Sequence, residues 1–310
     1  MKKKLLAMVA VVLTLSMSLT ACGQTTTDEK TQTEAGVKEG KIDPNYRDEY
    51  KVEKVDLKAE DFSESSTMYK ILKEGKINIG TNAAFPPYEF IAKINGETKI
   101  VGIDADLAYL LGKKLGIEVE IQDVDFDALI TGLSLGTHDL LLAGMNKDPE
   151  REKSISFSDD YYQANMVVLM RAEDLDKYDS LDDFGEDFTF GNQLGTIHEK
   201  LTKEKFPKAQ NKTIPSYSDL IVDLKAGNID GMLLEDVVAK SYASEDPKLV
   251  VNESVSFTSE EGMAMGLTKD DTEFQKFLND FIKELQDNGT MEKIVLNNLK
   301  LAENEEEKAE

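Results

Sequence analysis

The sequence predicts an α/β protein built from two similar strand-and-helix units. Short alternating runs are separated by amphipathic helical stripes, the arrangement that gives a parallel sheet with helices on its faces. One module also occurs twice: Leu133-Ser134-Leu135-Gly136-Thr137-His138-Asp139 followed by Leu140 to Ala143, and Leu224-Lys225-Ala226-Gly227-Asn228-Ile229-Asp230 followed by Gly231 to Leu234. Each copy is a helix end, a glycine able to take the left-handed cap, an Asp and a buried strand. Roughly 235 residues lie between the polar ends of the chain, enough for one large domain or two small ones.

In chain order, Met1-Lys2-Lys3-Lys4, an apolar core from Leu5 to Leu15 and Thr20-Ala21-Cys22 have the layout of an export signal over residues 1–21. The apolar run falls short of the about 20 residues a membrane-crossing helix needs. Leu19-Thr20-Ala21-Cys22 resembles a bacterial lipobox, whose cysteine is acylated and becomes the first residue after cleavage. Cys22 is the only cysteine, and a lone exported thiol has no internal disulfide partner, so acylation accounts for it. Palmitate-type lipid at Cys22 would anchor a soluble body on the outer face of the membrane. Residues 22–67, rich in Thr, Asp, Glu and Lys, read as a flexible lipid-anchored tether that buries too little to order. Residues 303–310 read as an acidic tail.

Within the body, Ile77 to Thr81 alternates as a strand, and Ile103 to Leu115 carries apolar residues at 107, 108, 111 and 115, a helical stripe stopped by Gly116. Val119 to Val124 alternates again, Ala128 to Leu135 reads as a helix closed by Gly136, and Leu140 to Ala143 as an apolar strand. In such sheets ligands sit beyond the carboxyl ends of the strands. Gly144, Asn146 and Arg151 follow the first module copy and Glu235 follows the second. If the units face each other, a cation from one and an anion from the other converge on a cleft suited to a zwitterion. The formal net charge of −24 becomes −27 once the three signal lysines are removed, and such a surface repels nucleic-acid phosphates.

The chain then carries Gly80-Thr81-Asn82-Ala83-Ala84-Phe85-Pro86-Pro87-Tyr88-Glu89-Phe90, Val101-Gly102-Ile103-Asp104-Ala105-Asp106-Leu107, Phe126-Asp127-Ala128-Leu129-Ile130, Ala143-Gly144-Met145-Asn146-Lys147-Asp148-Pro149-Glu150-Arg151 and Phe157-Ser158-Asp159-Asp160-Tyr161-Tyr162. In order and spacing these resemble the solute-binding proteins of polar amino acid ABC importers, over about Met68 to Leu301. The resemblance implies the type II periplasmic binding protein fold: two α/β lobes joined by two hinge strands, near Gln163 to Val167 and Phe257 to Gly262. Lobe 1 is expected over 68–165 and 257–302, and lobe 2 over 166–256. It further implies an extracytoplasmic monomer that closes on a free L-amino acid and delivers it to permease subunits, without a cofactor.

The resemblance also implies site roles. Arg151 matches the arginine that grips the ligand α-carboxylate; Asp148-Pro149-Glu150-Arg151 independently reads as an N-cap, Pro at N1 and an arginine in the first turn. Gly144 matches a donor of backbone N–H to the same carboxylate, beside Ala143, and Asn146 stands where relatives often carry Ser or Thr. Glu235 matches the acid that holds the α-ammonium, with Asp236 as a competitor. Thr196, between Gln193 and Ile197, matches the second-lobe loop on the carboxylate side. Phe85 and Phe126 match residues that sandwich the ligand's aliphatic part, while Tyr88 and Phe90 are core. Asn82 matches a position where Asp often reads a cationic side chain; its neutral amide points to polar neutral ligands or a broader range, and the ligand's identity stays open.

The alternative is a dehydratase-like enzyme on the same fold acting on a small carboxylate substrate. His138 and His198 are the only histidines, lack metal spacing and read as surface or structural. There is no Gly-x-Ser-x-Gly elbow, phosphate loop or dinucleotide fingerprint. Glu89 and Glu235 could do acid–base work, but no sequence feature marks either as perturbed.

Overall fold

The computed structural model describes residues 38–39, 46–94, 96–258 and 262–302. The expected export signal, the expected lipidation at Cys22 and the expected acidic tail at 303–310 lie outside the described residues. Strand β1 (Lys38–Glu39) is followed by helix α1 (Thr67–Glu74), β2 (Lys76–Thr81), β3 (Ala84–Phe85), β4 (Glu89–Ile94), β5 (Glu97–Val101), α2 (Ile103–Leu115), β6 (Glu118–Asp123), α3 (Leu129–Ser134), β7 (Leu140–Leu141) and β8 (Ile155–Tyr162). Then come β9 (Asn165–Arg171), β10 (Thr189–Gln193), α4 (Ile197–Lys205), β11 (Gln210–Ile214), α5 (Tyr217–Ala226), β12 (Gly231–Glu235), α6 (Asp236–Glu245) and β13 (Leu249–Thr258). The chain ends with β14 (Met263–Thr268), α7 (Thr272–Asp287) and α8 (Thr290–Ala302).

Two five-stranded sheets organise most of these elements, β6-β2-β7-β14-β8 in lobe 1 and β11-β10-β12-β9-β13 in lobe 2, and β1, β3, β4 and β5 form a third, four-stranded sheet. Within each, the strands linked by helices are parallel, β2 to β6 and β7 and β10 to β11 and β12. The sheets are nonetheless mixed and not purely parallel. Strands β9, β13 and β14 run antiparallel to their neighbours, because they flank the points where the chain leaves one lobe and enters the other without a crossover helix. The two crossings lie side by side: Thr258 pairs with Asn165 in the ladder, and Met263 with Tyr162.

Helix α2 shows how local sequence sets the packing. Its apolar stripe buries Leu107, Ala108, Leu111 and Leu115, and Gly116 closes it at φ 70°, donating its N–H to the Gly112 carbonyl. Helix α3 is shorter than expected, preceded by a 3-10 turn over Phe126–Ala128. Strand β7 also stops early, at Leu141. Its continuation leaves the sheet to form the loop in which Gly144 takes φ 49°.

Residues 46–67 correct the tether reading. Tyr50 is 2% exposed, and its hydroxyl donates to Asp106 Oδ2 at 2.8 Å, while Arg47 Nε reaches Asp106 Oδ1 at 2.6 Å. Val55 N donates to the Lys114 carbonyl, Lys51 N to Thr290 Oγ1, and Ser63 Oγ to Glu273 Oε2. Val52, Val55 and Leu57 pack against the lobe 1 core. The polar composition of the stretch masked this apolar spacing, which suffices to bind it along α2, α7 and α8.

Candidate functional site

A small cavity lies between the lobes. Ten of the eleven expected contact residues border it: Asn82, Phe85, Phe126, Ala143, Gly144, Asn146, Arg151, Gln193, Thr196 and Ile197. Glu235 does not; Glu89 and His198 do. The lobe 1 residues come from the segments after β2, β6 and β7, from the β3–β4 segment and from the turn before β8, and the lobe 2 residues from the end of β10 and the start of α4. Most of these lie at or just beyond the carboxyl ends of the parallel strands, while Phe85 and Glu89 pair with each other in the β3–β4 hairpin.

The lobes meet across this cavity. Gln193 Nε2 donates to Asn82 Oδ1 at 2.9 Å, Arg151 Nη2 to the Gly195 carbonyl at 2.8 Å, and the Tyr242 hydroxyl to the Ala84 carbonyl at 2.7 Å. Phe85 of lobe 1 packs edge-on against Tyr217 of lobe 2, with ring centroids 5.2 Å apart.

Arg151 follows a turn rather than a helix start: Asp148 Oδ1 accepts from Glu150 N at 2.8 Å, but only a 3-10 turn over Arg151–Lys153 forms before β8 begins. The guanidinium donates Nη1 to the Asn146 carbonyl at 2.6 Å and lies 5.3 Å from the centroid of the Phe126 ring. No carboxylate of the described residues forms an ion pair with it. Burial lowers its pKa to about 10 against the pull of the Asp148 charge, the direction expected for a cation held away from water.

Gly144 departs from its expected role. Its N–H goes to Asp104 Oδ2 at 2.8 Å, so a ligand carboxylate does not find it free. Thr196 precedes α4, and its hydroxyl donates to the Gln193 carbonyl at 2.8 Å. The Asn82 amide is engaged on both sides, giving Nδ2 to the Val124 carbonyl at 2.9 Å and accepting from Gln193.

Glu235 occupies the N-cap position of α6 without capping it. Its side chain is 1% exposed and turns to His198, Oε2 lying 3.1 Å from Nε2, while Oε1 is buried without a hydrogen-bond partner. His198 therefore forms the wall that Glu235 was expected to form. The competitor Asp236 faces away, toward Lys240 at 3.5 Å.

Sequence reasoning also passed over an acid pair. Glu89 is 1% exposed and Asp104 fully buried, and Glu89 lies in the field of the Asp104 charge. Burial, then the charge of Asp104, pushes the Glu89 carboxyl well above the usual range; burial raises Asp104 to about 6 against the pull of the Gly144 N–H. Glu89 Oε2 has no hydrogen-bond partner.

Residues 77–299 match the bacterial extracellular solute-binding proteins, family 3. The chain belongs to that family. The arginine-binding extracellular protein ArtP of Bacillus subtilis (strain 168) is 38% identical over 224 residues, 71% of this chain and 84% of that protein. The amino acid ABC transporter substrate-binding protein AbpA of Streptococcus pneumoniae, in a crystal structure bound to L-arginine, superposes with a TM-score of 0.72 at 29% identity, covering 76% of this chain and 99% of that one. The ancestral amino acid-binding protein AncCDT-1, described as a precursor of cyclohexadienyl dehydratase, gives a TM-score of 0.67 at 32% identity, covering 74% and 97%. This solute-binding protein thus has the type II two-lobed fold. It stands with binding proteins and not with enzymes, which sets the dehydratase alternative aside.

Proposed function

We propose that this solute-binding protein captures a free L-amino acid with a cationic side chain, arginine foremost, and hands it to the permease subunits of an ABC importer. In this reading it works as a monomer outside the cytoplasm, held to the membrane by lipid on Cys22. The observation that carries the ligand class is Glu89: a buried carboxyl bordering the cavity with an unpartnered oxygen. A buried acid with no counter-charge is costly, and a guanidinium is a planar, permanently charged donor that fits a carboxylate. Asn82, with its amide engaged on both sides, is not needed as the cation reader.

The charge balance supports the same class. The acids in and behind the cavity wall are Glu89, Asp104 and Glu235, set against Arg151. A ligand with an α-carboxylate and two cationic groups complements them: the carboxylate on Arg151 and Thr196, the α-ammonium against the His198–Glu235 pair, and the side chain between Phe85 and Phe126 toward Glu89. The arginine-binding names of the relatives agree with it.

The test is isothermal calorimetry of the mature protein with arginine, lysine, glutamine and citrulline. Arginine is expected to bind tightest, and Glu89→Gln to weaken arginine at least tenfold while changing glutamine by less than threefold. Glutamine or citrulline binding more tightly than arginine to the wild-type protein would refute the reading.

A further inference from the structure

We propose that His198 is the residue that receives the ligand's α-ammonium, accepting it on Nδ1, and that a proton on the same nitrogen expels it, so that capture weakens in acid. The inference rests on the reading above, in which an amino acid lies with its α-ammonium toward the His198–Glu235 pair, and it moves the contact from the carboxylate to the imidazole in front of it.

The geometry of the pair sets the roles of the two ring nitrogens. Glu235, at the end of β12, is 1% exposed and does not border the cavity, whereas His198, in the first turn of α4, does. His198 Nε2 lies 3.1 Å from Glu235 Oε2. A carboxylate only accepts, so Nε2 carries the hydrogen and donates it, and the neutral ring keeps Nδ1 as its acceptor. Among the described residues no other hydrogen bond reaches the ring. The Phe85 ring, with centroids 6.2 Å apart, holds the imidazole from the lobe 1 side. Glu235 Oε1 is buried and unpartnered, so much of the carboxylate charge is left for an incoming cation to offset.

The other charged groups around the ring leave this pair to itself. Of the strands packed against α4, β10 brings no ionisable side chain, β11 brings Lys212, which is turned to Asp223, and β12 brings Glu235. On α4, Glu199 pairs with Lys203, Glu204 with Lys205, and Lys200 with Asp148. Asp127 lies beside Gly195 in the loop before the helix, and Glu89 and Arg151 border the same cavity, the guanidinium turned to the Asn146 and Gly195 carbonyls. The pair therefore carries one negative charge while the ring is neutral and none once the ring takes a second proton. The α-ammonium and that proton compete for the same nitrogen and the same charge. When the ligand enters a protonated site, the Nδ1–H bond breaks, the proton leaves to solvent, and an ammonium N–H bonds to Nδ1; no other bond changes. The N-terminus of α4 disfavours a cation in its first turn, which keeps the receptive, neutral form available.

The experiment is calorimetry between pH 8 and 5 with arginine and with its deaminated counterpart, 5-guanidinopentanoate, which keeps the carboxylate and the guanidinium. Both ligands meet Arg151 and Glu89 alike, so the ratio of their affinities reports the α-amino contact alone. In the wild-type protein the ratio is expected to favour arginine at least tenfold at pH 8 and to fall about tenfold by pH 5. His198→Ala should remove most of the preference at pH 8. His198→Asn places an acceptor oxygen near the position of Nδ1 that takes no proton; it should keep the preference within threefold and hold it constant down to pH 5. A wild-type preference that does not change with pH, or one that survives in His198→Ala, overturns the proposal while leaving the ligand class intact. If arginine does not bind, the cationic reading falls, and the same ratio taken with glutamine and its deaminated counterpart decides the role of His198; if neither amino acid binds, both fall. Should the variants fail to fold, the pH profile of the wild-type ratio decides the matter.

Discussion

Replacing Arg151 with Ala tests the carboxylate contact most directly. In the structure the guanidinium makes two bonds to neutral carbonyls, at 2.6 and 2.8 Å, and none to a carboxylate of the described residues. Its desolvation is therefore only partly offset until a ligand anion arrives. Truncating one member of a buried, hydrogen-bonded charge pair costs about 2–5 kcal/mol, much of it from stranding the other charge. A loss of about 3 kcal/mol corresponds to a roughly 100-fold rise in Kd, at about 1.4 kcal/mol per tenfold. The apo protein loses two hydrogen bonds but also sheds a half-buried cation, so its stability should change by no more than about 1 kcal/mol. Calorimetry gives the affinity and a urea titration gives the stability of each variant. Arg151→Lys keeps the charge without the fork and should fall between Ala and wild type. If Arg151→Ala binds arginine within threefold of the wild-type protein, the assignment of Arg151 to the carboxylate is wrong.

Three further outcomes follow from other contacts. Gly144→Ala would place a Cβ 2.8 Å from Phe85 Cδ1 at a φ of 49°; the overpacking and strain should cost about 1–3 kcal/mol and weaken arginine at least tenfold by displacing Phe85, read by the same two methods. Tyr50→Ala should destabilise the protein by about 3 kcal/mol while changing arginine affinity less than twofold; urea unfolding indistinguishable from wild type would restore the tether reading. His138 is 4% exposed with Nδ1 unpartnered, and burial lowers its pKa. Its contribution is therefore present at neutral pH and lost as pH falls through the folded value, since the unfolded chain binds the proton more readily. His138→Phe should lose less melting temperature than wild type between pH 7.5 and 5, and parallel losses would refute the assignment.

Much of the fold was legible because it rests on period and punctuation. The stripe at 107, 108, 111 and 115 and the repeated glycine-closed module placed α2 and the paired strands, and the loops after them brought ten expected residues to one cavity. What escaped was chemistry that depends on which face a polar residue shares. Asp104 lies three and four residues before Leu107 and Ala108, on the buried side of α2, so an acid on an apolar stripe was the signal for the pair with Glu89. His198 directly follows the Thr196–Ile197 loop already singled out, but a lone histidine with no metal spacing gave no reason to place it against Glu235. The polar bias of 46–67 outweighed the apolar spacing of Tyr50, Val52, Val55 and Leu57, because composition averages over a register that packing uses residue by residue.

The strapping of residues 46–67 along lobe 1 has a mechanical consequence. Tension on the leading end of the chain would reach first the half that carries Glu89 and Arg151, to which residues 46–67 are bonded. If the lipid proposed on Cys22 holds that end, the half that carries His198 and Glu235 is loaded only through the first.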